Sequence, residues 1–134
     1  MTKRQITSSK LAVPNGHFSQ ATMIEAEGRL LFISGMTART RDGGIAGIGN
    51  VEVQTRQVCE NLKAAVEEAG GTLADICRVD VYVRNIEDFP TIHKVRSEYF
   101  EAPLPASTMV EVAKMVKPEY LIEISAIAVL PKAS

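Results

Sequence analysis

Tryptophan is absent from the 134 residues, and all aromatic residues together make up only 5%. An excess of either charge is missing too: 15 basic residues nearly cancel 16 acidic ones, the formal net charge is -1, and no block of like charge appears. The chain therefore carries neither a basic stripe with interleaved aromatics for nucleic acid nor a charged patch for a membrane surface. A long apolar run is also lacking. The opening "MTKRQITSSK" has basic residues with no apolar stretch behind them, and no window approaches the roughly 18 apolar residues of a membrane helix. The reading is a cytoplasmic protein with no membrane and no nucleic acid as partner. Cysteine is scarce as well. Cys59 and Cys77 lie far apart in apolar-rich segments without a histidine cluster nearby, which reads as two reduced core thiols rather than a disulfide or a metal site. No P-loop, G-x-S-x-G elbow, H-E-x-x-H or paired-cysteine motif occurs, so phosphate-cradle, serine-hydrolase and zinc chemistries drop out.

What is present fits one domain over 1–134 with 46% hydrophobic residues to build a core. "FSQATMIEA" and "RLLFISG" read as two strands joined through "EGR" as a hairpin, with Gly28 in the turn. From Met36 to Gly49 the chain reads as a mobile, glycine-rich loop carrying Arg39 and Arg41. Asn50 reads as the N-cap of a helix in which Val51, Val58, Leu62, Ala65, Val66 and Ala69 recur at helical spacing until Gly70 and Gly71. Ile76 to Arg84 alternates, with Val79, Val81 and Val83 on one face and Arg78, Asp80, Tyr82 and Arg84 on the other. A second helix from about Asp88 carries Phe89, Ile92, Val95 and Tyr99 as its apolar stripe, and two further strands, "ASTMVEVA" and "YLIEISAIAV", close the chain. That order predicts an α+β two-layer sandwich, a mixed sheet with two helices on one face. The last strand is apolar on both sides, so the uncovered face predicts a homo-oligomer.

Glu123 interrupts that last strand between Ile122 and Ile124. Two readings stand: a buried carboxylate satisfied by a neighbouring arginine or backbone amides, or a general acid/base whose proton affinity desolvation raises. His93 lies beside the apolar stripe of the second helix with Arg96, the usual place of a surface or interface histidine. His17 says less. Ser34 and Gly35 end the second strand, where a glycine permits close approach of a ligand or backbone.

"GHFSQA", "LLFISGM", "QTRQVCENLKAAVEEAGGTLADICRVDVYVRNIEDF", "PASTMVEVAKM" and "IEISAIAV" occur in this order over nearly the whole chain. Together they resemble the RidA family, also called YjgF, the reactive-intermediate deaminases. The resemblance implies a chorismate-mutase-like fold and a homotrimer with a barrel-like core and a cleft between each pair of adjacent subunits. It also implies hydrolysis of an enamine or imine to a ketone or keto acid plus ammonia, with no cofactor and no metal. The family's carboxylate-gripping arginine falls at Ser107 and a cysteine at Met109, while a tyrosine and an asparagine of the pocket fall at Phe18 and His93. Glu123, Ser34 and Gly35 are kept. Strand alternation puts Ser107 and Met109 on one face, so both positions of that wall have changed together. A serine cannot replace a bidentate guanidinium, and small imino monocarboxylates are expected to bind poorly.

"PASTMVEV", "HFSQAT" and "EYFEAPLPAS" are most similar to the 2-aminomuconate deaminase branch, which acts in aromatic-compound catabolism. The implied substrate is an anionic enamine, 2-aminomuconate, converted to 2-oxohex-3-enedioate and ammonia. In that reading Glu123 moves the proton of the attacking water, His93 donates to the substrate, backbone amides near Thr108 and Met109 meet a carboxylate, and Phe18 walls the cleft. Arg96, Arg39, Arg41 and His93 are the candidates to pair with the anion. The alternatives are a deaminase of another enamine or imine, a ribonuclease, and a non-catalytic ligand-binding or chaperone-like trimer.

Overall fold

The computed structural model describes residues 3–25 and 27–132. Strand β3 (Gly28–Met36) leads through a loop into helix α1 (Val51–Glu68), which Asn50 starts as expected: its backbone is extended and its side chain accepts from the Val53 N–H at 3.1 Å. Val58, Leu62 and Val66 line the buried side of α1, and Gly70, with φ +91°, takes the left-handed turn that ends it. Thr72 and Asp75 then cap a single 3₁₀ turn in a reciprocal box before β4 (Ile76–Val83). Helix α2 (Phe89–Tyr99) carries the chain over to β5 (Ala106–Glu111), and β6 (Ile122–Pro131) closes it.

The order across the sheet is β3-β6-β4-β5, antiparallel except for the parallel β4–β5 pair. Register assigns the faces. Val79, Val81 and Val83 align with Ala126, Ile124 and Ile122 on one side and with Ser107, Met109 and Glu111 on the other. The valines and their β6 partners are buried with Val58, Leu62, Val66 and Ile92, which puts the core between this face and the two helices. The opposite face carries Asp80, Tyr82, Glu123 and Ser125, together with Leu30 and Phe32, which stay 63% and 70% exposed. This is the mixed sheet with both helices on one face that the element order predicts.

Three expectations need correction. No hairpin joins β2 (Ala21–Ile24) to β3: β2 pairs with β1 (Lys3–Ile6), while β3 pairs with β6. Gly28 lies inside the β3 ladder opposite Pro131 and has no positive φ. Proximity in sequence favours a hairpin, but β6 offers β3 a longer apolar partner, and backbone pairing follows the longer ladder. Cys59 is a buried thiol as expected, pushed up to about 12 by burial, yet Cys77 is only half-buried, in a bulge between Ile76 and Arg78, with its thiol directed at the Ile127 carbonyl. The loop after Met36, expected to be mobile, is pinned: the Thr40 N–H donates to Gly44 O and the Ala46 N–H to Ala38 O.

Gln54 ties the layers together. It is fully buried on α1, where its Nε2 donates to the carbonyls of Gly47 (3.2 Å) and Glu119 (2.8 Å), and its Oε1 accepts from the Leu121 N–H (2.9 Å). One side chain thus serves two loops and fixes where β6 begins. Gln54→Leu strips the partner from three backbone groups, each worth about 1 kcal/mol or more when buried. The expected loss is about 3 kcal/mol in urea unfolding; a loss below about 1 kcal/mol would show that water replaces the amide.

Candidate functional site: two separated half-sites

Interior strand β6 has its helix-facing positions filled by Ile122 and Ile124, so alternation sends Glu123 to the open face, opposite Tyr82. The expectation of a carboxylate buried in the sheet is therefore corrected: Glu123 is half-exposed. Ser34 and Gly35 form a bulge in β3, two residues facing one across the ladder between Ile33 and Met36. Both are exposed, and Gly35 makes room for the glutamate: a Cβ built there would stand 2.1 Å from Glu123 Oε2. Among the described residues the two ion pairs are Arg56–Glu98 and Arg78–Asp80, and neither engages Glu123.

The Glu123 carboxylate borders a cleft of about 950 Å³, whose other walls include Gly35, Arg39, Arg41, Asn61 and Tyr120. Asn61, on α1, donates from Nδ2 to the carbonyls of Thr37 and Arg39, both at 2.9 Å, and so holds the loop across the cleft mouth. Asp42 supports the loop from within, its carboxyl held below the usual range by the Thr40 hydroxyl and then the Gly44 amide. Arg39 and Arg41 therefore stand on a braced loop beside a carboxylate that neither one pairs with.

A second group forms at the other edge of the sheet. Ser19 anchors the N-terminal segment to the start of β5, its N–H donating to Pro105 O at 3.1 Å and its hydroxyl to Leu104 O. That anchoring sets His17 against α2: its ring meets His93 edge-on at 5.8 Å, and its Nε2 lies 2.6 Å from Phe100 O. Phe89 stacks on His93 at 5.7 Å, and Gly16 packs between Phe18 and Phe89. One turn further along α2, Arg96 is only 5% exposed and its Nη2 donates to Ser107 Oγ at 3.0 Å. Burial pushes the Arg96 guanidinium below its ordinary pKa, and the nearby Cys59 thiol counters this in part.

The expected site residues thus fall into two sets. Glu123, Ser34 and Gly35 share one region; Phe18, His93, Arg96 and Ser107 share another. Ser107 and Met109 do point the same way, but toward the helices, whereas Glu123 points to the open face, so they do not meet within one chain. Thr108 belongs to neither set: its hydroxyl accepts from Arg78 at 2.8 Å on the open face. Sequence reasoning missed Asn61, Gln57 and Tyr120 in the cleft wall, and Phe89 and His17 beside His93. Polar Gln57 and Asn61, one helical turn apart on α1, were the legible hint; nothing local marks the rest. Among the described residues no cluster of three or more metal-ligating side chains occurs, and no helix is long and apolar enough to cross a membrane.

The family described as Endoribonuclease L-PSP matches residues 8–130. A RutC family protein from Pyrococcus abyssi is 38% identical over 128 residues, covering 96% of this chain and 98% of the relative. A 2-iminobutanoate/2-iminopropanoate deaminase from Dermatophagoides farinae is 34% identical, covering 97% of this chain and 99% of its own. Among solved structures, a Rid-family protein of unknown function from Yersinia pestis superposes with a TM-score of 0.88 at 33% identity, covering 97% of this chain and 100% of that one. The Escherichia coli TdcF structure with bound serine superposes at 0.71 with 30% identity, covering 95% and 98%.

Gly35→Ala tests the Glu123 contact. Gly35 is exposed and its φ is not positive, so the variant is expected to fold with a loss of about 1 kcal/mol or less. Its crystal structure should show the Glu123 carboxylate swung off β3; an unmoved carboxylate would refute the packing described.

Proposed function

The chain belongs to the endoribonuclease L-PSP family, the family of the RidA/YjgF proteins, and from that premise we propose that it hydrolyses the C=N bond of a small imine or enamine. The observation that carries the reading is Glu123, a carboxylate with no ion pair among the described residues, lying against a bulge glycine in the wall of a cleft that Arg39 and Arg41 also line. Water attacks the carbon of the protonated imine while Glu123 takes one of its protons, forming a carbinolamine. Glu123 then returns that proton to the amino nitrogen and takes up the hydroxyl proton as the C–N bond breaks and the C=O bond forms, and the products are a carbonyl compound and ammonia. An enamine first moves a proton to carbon, and His93 serves as donor. Such proton transfers are worth roughly 10²–10⁴ in rate.

Glu123 and the Ser107 group lie on opposite faces of one sheet, so the reading requires a second copy to bring its Ser107, His93 and Phe18 to the first copy's Glu123, as in a trimer with clefts between subunits. The exposed Leu30 and Phe32 beside Glu123's face support such an assembly. On substrate identity, the relative named as a 2-iminobutanoate/2-iminopropanoate deaminase supports a small imino acid. The finer assignment, 2-aminomuconate, draws support only from Arg39 and Arg41 in the cleft, which suit a second carboxylate.

Glu123→Gln keeps the volume and removes the proton acceptor. Ammonia release from imines generated in situ is expected to fall by roughly 10² or more with assembly and thermal unfolding unchanged. A panel pairing monocarboxylate with dicarboxylate substrates ranks them in the same assay. Full activity in Glu123→Gln would remove the proposed mechanism, and a wild-type chain that binds these ligands without releasing ammonia would establish the non-catalytic reading instead.

A further inference from the structure

Charges of opposite sign line the cleft beside β3 without meeting. Glu123 stands on β6 and Arg39 and Arg41 on the loop between β3 and α1, yet among the described residues neither arginine pairs with a carboxylate. Their separation is built in. Asn61 ties the loop to α1 by donating to the carbonyls of Thr37 and Arg39, both at 2.9 Å, and the buried Ala38 between them anchors the same stretch in the core. The acid nearest in sequence offers the arginines nothing, because the Asp42 carboxylate already accepts from the Thr40 hydroxyl and from the Gly44 N–H.

The other polar groups of the wall are engaged as well. Both protons of Asn61 Nδ2 go to the loop carbonyls, and its Oδ1 accepts from Gln57 Nε2 at 2.9 Å, so the amide serves as a brace. The two guanidiniums are therefore the strong donors that remain. Met36, Ala65, Val116 and Tyr120 give the cleft its apolar lining. Its volume of about 950 Å³ lies near the top of the range for drug-sized ligands, roughly 300–1,000 Å³, and exceeds what a four-carbon imino acid fills. Carboxylate, apolar wall and cations in one cleft match a ligand with a cationic group, an apolar stretch and an anion.

We propose that the cleft takes an elongated imine whose anionic group is remote from the C=N carbon, with the protonated nitrogen at Glu123, the carbon chain on the apolar wall and the anion on Arg39 and Arg41. The substrate class is thus an imine of an oxo acid in which several carbons separate carbonyl from carboxylate. The assignment of the Glu123 end rests on the imine-hydrolase reading; the assignment of the arginine end does not. Asn61 is a positioning residue, acting through the loop it holds.

The test is a calorimetric titration of the full chain with two isomeric products, 5-oxohexanoate and 2-oxohexanoate, which share formula and charge and differ in how far the carboxylate lies from the carbonyl. Wild type should bind the 5-oxo isomer about tenfold more tightly than the 2-oxo isomer and than the neutral methyl ester of the 5-oxo acid, the size of a charge-assisted hydrogen bond. A chain carrying both Arg39→Gln and Arg41→Gln should bind all three alike. Both arginines are exposed, so that chain is expected to unfold at the wild-type temperature. Asn61→Ala, which leaves the arginines in place but frees their loop, should lose part of the preference. A wild type that favours the 2-oxo isomer or does not discriminate overturns the proposal, as does a preference that survives the double substitution. A double variant that changes its assembly while its isomer preference stays intact also overturns it, since the arginines would then be serving a contact between copies. The two readings fail separately: isomer preference without ammonia release from any imine sinks the deaminase reading alone, and ammonia release without isomer preference sinks this one alone.

Discussion

The alternation of β6 at the interior of the sheet is the constraint from which the rest follows. With β3 on one side and β4 on the other, the strand is paired along both edges and cannot slip by one position without moving Ile122 and Ile124 out of the core. Burial of those two side chains therefore fixes Glu123 on the opposite face. The carboxylate's position depends less on any contact it makes than on the apolar neighbours it is held between.

Once β6 is fixed, its partners are fixed with it. The bulge at Ser34 and Gly35 opens β3 where the glutamate lies across it, and Gln54 holds the segment leading into β6 against α1. The parallel β4–β5 pair carries the same register to the far edge and puts Ser107 on the helix side, within reach of Arg96. Among the described residues Glu123 has no cation partner and Arg96 no carboxylate partner, and the two stand on opposite faces of one sheet. An internal ion pair would neutralise both; the sheet keeps them apart.

Much of this was legible before any coordinates. The cap at Asn50, the stripe of Val58, Leu62 and Val66, the glycine stop at Gly70 and the alternation of Val79, Val81 and Val83 are local patterns whose physical causes lie within a few residues of each other. The pairing of β2 was not legible, because a short strand's partner is chosen by the competition of distant strands for the same edge. The half-exposed state of Cys77 was hidden for a similar reason: a bulge belongs to two strands at once.

The sequence by itself determined the element types, the two-layer class, the shared face of Ser107 and Met109 and the oddity of Glu123, since each rests on periodicity or residue chemistry along the chain. Only the tertiary structure decided that Glu123 and Ser107 face away from each other, that Arg96 is buried against Ser107, and that Asn61 braces the loop bearing Arg39 and Arg41. Those facts depend on strand order and register, and register is set by the sum of contacts between residues far apart in sequence, which no local pattern encodes.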